Sequence, residues 1–259
     1  FCWGNPHLPD RLGGLVRAVQ GCRDAALAYG TPFVSGKDSL NNEYVDPRGE
    51  KRAIPPTLLI SSLGIVPDAG RAVTMDLKDP GNLLYVVGET RAELGGSLYH
   101  RLHGIPGGDV PAPVPGAIDT MRALHAAMVA GLVRACHDAS EGGLAVAAAE
   151  VALAGRLGLE LSLADLPRAP GVDRDDVALL AESSGRFLVE VAPAAAPAFE
   201  QIMAGRPCAP LGHVVAEEAG GDARLRIAGL RGEPVIDCPV SQLVQAFTRS
   251  GRAEGAGAS

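Results

Sequence analysis

Nothing in this sequence concentrates positive charge. Its 23 Lys and Arg are outnumbered by 30 Asp and Glu, the formal net charge is −7 at pH 7, and no basic run occurs. A groove that tracks a nucleic-acid backbone needs a basic surplus, so no nucleic-acid partner is expected. No apolar run reaches the roughly 20 residues that cross a bilayer. The stretch TLLISSLGIV at 57–66 is strand-sized, so no membrane partner is expected, and no signal peptide either. The five cysteines, Cys2, Cys22, Cys136, Cys208 and Cys238, form no CxxC pair. That scatter fits five buried thiols in a reducing, cytoplasmic compartment. Also missing are GxxxxGK[ST], a GxGxxG that opens a helix, GxSxG and HExxH. Any use of ATP must therefore lie outside the P-loop and kinase templates.

What is present is 259 residues, 47% of them hydrophobic, with 33 Gly and 20 Pro. That suffices for one large domain or two modest ones. Leu12, Leu15, Val16, Val19, Cys22 and Ala26 recur at helical spacing, with Asp10 able to cap the start and Gly30 the end. TPFVSG (31–36) then reads as a short strand, followed by a polar loop running through DPRGEKR. PPTLLISSLGIVPD (55–68) reads as a long apolar strand and PGNLLYVVGET (80–90) as another. Residues 106–116, PGGDVPAPVPG, form a connector. The following helix is expected to bury Ile118, Met121, Leu124, His125, Met128 and Leu132 on one face. VRACHD is a strand running into a loop. SEGGLAVAAAEVALAG is a regular helix that Ser140 can cap and Gly155 can close. Strands are expected at GLELSLADLP, GRFLVEVAP, CAPLGHVV and within 223–240, and helices at APAFEQIMAG and VSQLVQAFTRS.

This order predicts an α/β (α+β) protein with a boundary near Met75–Gly81. One α/β unit covers 1–76, a second covers 77–218, strands and a helix over 219–248 pack on it, and a small polar tail at 249–259 is disordered. Because the chain opens on FCWGNP, it is expected to begin inside a domain.

Two stretches hold the chemistry. The first is FVSGKDSLNNEY (33–44). A glycine after a strand lets backbone N–H groups approach an anion. Lys37 can neutralise phosphate, Asp38 and Glu43 can hold Mg²⁺, and Ser39, Asn41 and Asn42 can bind sugar or phosphate oxygens. The same composition also makes a plain solvated turn. The second is ACHDASEGGLAVAAAE (135–150). Asp138 can reach a cation, and the helix start with Gly142-Gly143 can receive a phosphate. Alternatively it is a simple capped turn with a satisfied His137. GGS at 95–97 suits backbone packing more than phosphate. His100 and His103 lack a third metal ligand. Glu182, Ser183 and Arg186 read as a tight turn.

FCWGNP, GTPFVSGKDSLNNE, PPTLLISSLGIVPD, CHDASEGGLAVAAAEVALAG and ESSGRFLVEV occur together and in this order. This set resembles the C-terminal half of the phosphoribosylformylglycinamidine synthase family, within the PurM-like superfamily of ATP-binding synthetases. The resemblance implies a PurM-like two-domain repeat: a partial N-terminal-type domain followed by a C-terminal-type α/β domain. It implies ATP and Mg²⁺ as cofactors and formylglycinamide ribonucleotide as substrate. Glutamine-derived ammonia, supplied by a separate glutaminase subunit, would displace phosphate from an ATP-activated amide. An N-terminal repeat of the same chain would supply the catalytic residues, leaving this part inactive alone. By position, the resemblance assigns Gly36 and Lys37 to nucleotide, Ser39 to substrate, Asp138 to Mg²⁺ and Ser140 to nucleotide. Lys37 stands where the family often has Asn and cannot ligate a metal while protonated, which leaves Asp38 as a cation ligand. A second reading is a half that binds nucleotide without turnover; a third is a sister synthetase with another substrate.

Overall fold

The computed structural model describes residues 1–217 and 221–253. It divides into two compact units, Phe1–Pro67 and Asp68–Ser259.

In the first unit, helix α1 (Pro9–Tyr29) follows the predicted apolar spacing. Its start differs: Pro9 takes the first turn and Leu8 precedes it without any side-chain cap, while Asp10 lies inside the first turn. Proline suits that position because its missing N–H would be unpaired there anyway. Gly30 closes the helix in the left-handed conformation, as expected. The polar stretch contains an unforeseen hairpin, β1 (Glu43–Val45) against β2 (Lys51–Ala53), with Tyr44 opposite Arg52. The Asp46 carboxylate accepts from the N–H groups of Arg48 at 2.9 Å and Glu50 at 3.0 Å and so fixes the turn.

The two expected strands at 31–36 and 55–68 do not form. Only Thr57 pairs, with Cys2. Val34, Leu59, Leu63 and Ile65 are 92%, 84%, 96% and 90% exposed. A strand is a paired state, and apolar composition without a neighbouring strand leaves an extended segment with open backbone groups.

The second unit is built on a seven-stranded sheet in the order β4-β6-β3-β7-β5-β8-β9. The strands are β3 (Leu83–Val87), β4 (Val133–Asp138), β5 (Gly158–Ser162), β6 (Phe187–Val191), β7 (Cys208–Val215), β8 (Arg224–Ala228) and β9 (Pro234–Pro239). Neighbours are antiparallel except β5 and β8. Among the described residues, six α-helices follow α1: α2 (Leu98–His103), α3 (Ala117–Val129), α4 (Gly143–Gly155), α5 (Asp175–Leu180), α6 (Ala196–Met203) and α7 (Val240–Ala253).

Side-chain alternation on β3 sorts two cores. Leu84 and Val86 join Leu144, Ala148, Val151, Leu179 and Val240 from α4, α5 and α7. Tyr85 and Val87 join Ala123, Leu124, Ala127, Phe199 and Met203 from α3 and α6. Helices thus cover both faces, which is why β3 reads as an unbroken apolar run and β6 as one broken only by Glu190, whose buried carboxylate accepts from Lys78 N, Asp79 N and Asn82 Nδ2. Tyr85 and Phe199 meet at a ring-centroid distance of 5.0 Å, and burying such a side chain stabilises by roughly 1.5–3 kcal/mol.

Three boundaries differ from the sequence reading. Residues 68–76 belong with the second unit, because Cys136 N donates to Thr74 O at 3.1 Å and the Arg71 guanidinium bonds Val129 O. β8 and β9 extend the main sheet rather than pack on it. α7 runs on to Ala253, past the expected start of a disordered tail; residues 254–259 lie outside the described residues. The α3 face also turns by about a residue. Ala117, Thr120, Ala123, Leu124 and Ala127 are buried and His125 is exposed, because small side chains let the helix approach the sheet closely.

Candidate functional site

Three turns meet beside the end of β4. Asp138 pairs with Phe187 at the start of β6, and Ala139 N donates to Arg186 O at 2.9 Å. This joins turn 138–143 to turn 181–186. Ser183 joins turn 181–186 to the loop after β3: its Oγ accepts from Arg91 N at 3.0 Å and donates to Arg91 O at 3.1 Å. Arg186 is 1% exposed. Its guanidinium donates to Ser183 O at 3.1 Å, to Thr90 Oγ1 at 3.1 Å and to Ala181 O. Burial pulls its pKa down to about 10 against the nearby Glu93 and Glu182.

Glu182 is the hub. Its Oε1 accepts from Gly142 N, just before α4, and from Leu98 N, at the start of α2, both at 2.9 Å. The anion at these helix starts is therefore the protein's own carboxylate. Gly143 N is also taken, by Ser140 O at 3.1 Å. Two of the N–H groups at the expected phosphate seat, those of Gly142 and Gly143, thus already have protein acceptors. Gly143 serves packing instead. Its φ is +66°, and a Cβ there would lie 2.5 Å from Ala181 O and 2.6 Å from Leu179 O. Ser140 does not cap α4; Gly142 precedes the helix, and the Ser140 hydroxyl donates to Asp138 Oδ2. Ser97 does cap α2, accepting from His100 N at 3.2 Å. The reading of Glu182, Ser183 and Arg186 as a plain turn missed that they bind segments far away in sequence.

On this base, Asp138 and Ser140 stand exposed at the strand end. His137 is half-buried, with Nε2 2.8 Å from Glu150 Oε2 and Nδ1 3.6 Å from Asp138 Oδ1. The Ser140 hydrogen bond, and then the His137 ring, hold the Asp138 carboxyl below the usual aspartate range against a burial effect in the other direction. The folded value lies below the unfolded one, so this contribution to stability is full above the ordinary aspartate value of 3.8 and disappears as pH falls through the folded value. The stability advantage of wild type over Asp138→Asn should be flat above about pH 5 and shrink on acidification below that. Melting temperatures from pH 2 to 7 test this, and an advantage that grows in acid would contradict it.

In the first unit, Gly36, Lys37 and Asp38 are exposed, and Lys37 Nζ bonds Ser39 Oγ at 2.5 Å and Asp38 O at 3.0 Å. Glu43 is not free for a cation. Its carboxylate pairs with Arg11 and with Lys51 at 2.8 Å, accepts from Asn5 N at 3.2 Å, and is held low first by Lys51. Gly36 has no positive φ, and a Cβ built on it meets nothing within 4 Å. Neither backbone nor packing requires glycine there. Among the described residues no group of three His, Cys, Asp or Glu can hold a metal, and no helix is long and apolar enough to cross a membrane. The five cysteines are free thiols.

Residues 79–222 match the family model described as AIR synthase related protein, C-terminal domain. The chain is 39% identical over 221 residues to the phosphoribosylformylglycinamidine synthase subunit PurL of Deinococcus radiodurans, covering 82% of this chain and 29% of that one. It is 35% identical over 253 residues to the subunit of that name from Thermomicrobium roseum, covering 95% and 32%. Among solved structures it resembles PurL of T. maritima complexed with FGAR, with a TM-score of 0.57 and 19% identity over 68% of this chain and 30% of that one. That likeness speaks for the fold. The chain spans about a third or less of the length of these relatives.

Proposed function

Because the chain belongs to the AIR synthase related family, whose C-terminal domain it carries, we propose that it is the C-terminal part of a phosphoribosylformylglycinamidine synthase. The whole protein would convert formylglycinamide ribonucleotide, ATP and glutamine-derived ammonia to the amidine, ADP and phosphate. It would do so in the cytoplasm, with a separate glutaminase and an N-terminal repeat as partners. The first unit would be a partial N-terminal-type domain. The observation that carries this reading is the 35% identity over 95% of the chain. A match that long necessarily spans both the 33–44 loop and the 135–150 turn and helix.

The donor set fits Mg²⁺ bound with a nucleotide. Magnesium takes one or two carboxylates and completes its shell with phosphates and water. Asp38 in one unit and Asp138 in the other each offer one exposed carboxylate. When bound, the ion would neutralise phosphate charge. The lowered pKa keeps Asp138 ionised at neutral pH, and the Ser140 hydroxyl, which donates to Asp138, has lone pairs for a nucleotide hydroxyl or would turn from Asp138 to donate to a phosphate oxygen. Lys37 brings an ammonium to phosphate, and its contact with Ser39 holds that hydroxyl ready for substrate. The bare Cα of Gly36 leaves room for a phosphate to touch the backbone.

Gly36→Ala separates the two readings of this loop. In the whole protein, stability should change by no more than about 0.5 kcal/mol, as for a surface change with open space. The kcat/KM for ATP should fall about tenfold or more, a loss of about 1.4 kcal/mol of binding. An unchanged kcat/KM would make 33–44 a solvated turn.

A further inference from the structure

The contact between His137 and Glu150 is not needed to seat α4 on the sheet. His137 lies near the end of β4, opposite Leu188 of β6, and its Nε2 is 2.8 Å from Glu150 Oε2 in α4. Helix α4 docks through Gly143, Leu144, Ala147, Ala148, Val151 and Ala152, all of them buried. Glu150 is not among them, and its side chain is 37% exposed. Alanine at position 150 would itself favour the helix.

What the contact does fix is the imidazole ring. A carboxylate only accepts hydrogen bonds, so Nε2 carries a proton here. An unheld imidazole can turn by half a revolution about its Cβ–Cγ bond, which exchanges Nδ1 for a carbon. The bond to Glu150 opposes that turn and keeps Nδ1 on the side of Asp138, 3.6 Å from Oδ1. Asp138 is thereby held from two sides, with the ring beside Oδ1 and the Ser140 hydroxyl donating to Oδ2. The Asp138 side chain is 64% exposed, so packing cannot replace these contacts. Glu150, His137, Asp138 and Ser140 form one chain of polar contacts that starts on α4 and ends at the exposed strand end.

We infer that Glu150 is a positioning residue for the cation site at Asp138. It touches neither the ion nor the nucleotide, and acts by fixing the His137 ring that sets the direction of the Asp138 carboxylate. Outer partners of this kind change metal affinity by about 10–100-fold. The inference rests on the magnesium-nucleotide reading of Asp138 and Ser140, and adds to it a residue two turns into the helix.

The test is calorimetric titration of the full 259-residue chain with ADP in the presence of Mg²⁺. It compares wild type with Glu150→Ala, Glu150→Gln, His137→Ala and the Glu150→Ala, His137→Ala double variant. Glu150→Ala should keep an unfolding midpoint close to wild type and lose about tenfold or more in affinity. Glu150→Gln, whose amide oxygen still accepts from Nε2, should stay within about threefold of wild type. With His137 already replaced, Glu150→Ala should weaken binding no further, because it acts through the ring. Imidazole ¹⁵N spectra give a readout free of nucleotide. His137 should show a fixed ring protonated at Nε2 in wild type and Glu150→Gln, and an averaging ring in Glu150→Ala. Wild-type affinity or a wild-type ring spectrum in Glu150→Ala, an equal loss in Glu150→Gln, or additive losses in the double variant would overturn the positioning role and leave the nucleotide site standing. A folded wild-type chain that binds no ADP with Mg²⁺ would overturn the nucleotide reading and this inference together.

Discussion

Replacing Arg186 with methionine is expected to lower folding stability by about 3–5 kcal/mol, the range for removing one partner of a buried charge arrangement. The aliphatic bulk is kept, so the loss is polar. Ala181 O, Ser183 O and Thr90 Oγ1 lose their donor in a site where Arg186 itself is 1% exposed. Each buried acceptor left unpaired carries a penalty of about 1–3 kcal/mol. Glu93 and Glu182 also lose an opposing charge. Glu93 feels this most, since its Oε2 is already buried without a hydrogen-bond partner among the described residues. Arg186→Lys should recover less than half of the loss, because one ammonium cannot reproduce the planar fork that reaches three acceptors. Urea unfolding reads the effect as a shifted midpoint at unchanged slope. A loss below about 1 kcal/mol, the worth of a single ordinary hydrogen bond, would mean that the backbone alone holds the three turns.

Gly143→Ala should be nearly as damaging, at about 3 kcal/mol or more, because two mechanisms add. The left-handed φ of +66° strains any residue with a Cβ, and that Cβ would press on two carbonyl oxygens at 2.5 and 2.6 Å. Those oxygens, on Leu179 and Ala181, belong to the segment that carries Glu182, so relief would pull the hub away from Gly142. The same denaturation measurement checks it. A stability within about 0.5 kcal/mol of wild type would show that the α4 start can shift freely, and the rigid base described above would be wrong.

The second unit was largely legible, because its elements are defined by local patterns. β3 is a short apolar run bounded by glycines, β6 is apolar but for Glu190, and α4 is an alanine-rich helix; its left-handed cap is Arg156 rather than the expected Gly155, which is the last helical residue and packs on Leu77. α5 was missed, since six residues are too few for periodicity to speak. In the first unit the apolar stretch at 57–66 had strand composition but no strand beside it, and pairing cannot be read from one segment. The expected N-caps Asp10 and Ser140 failed for a related reason. A serine hydroxyl at position 140 can bond a backbone N–H ahead or a carboxylate behind, and only the structure shows that it chose Asp138.

The candidate site divides in the same way. Asp138, Ser140, Gly36 and Lys37 stand out because they cluster within short loops. Glu182 does not, because its partners lie 40 and 84 residues away at Gly142 and Leu98. A carboxylate in a turn gives no local sign that it will close two helix starts.

The central proposal is a magnesium-nucleotide site on the exposed end of β4, at Asp138 and Ser140. Its most direct test is calorimetric titration of the chain with ATP and with ADP in the presence of Mg²⁺, beside the Asp138→Ala, Ser140→Ala double variant. The account predicts saturable binding that is lost in the double variant while its unfolding midpoint stays close to wild type. A folded wild-type chain that binds neither nucleotide, or a double variant that binds as tightly as wild type, would contradict it.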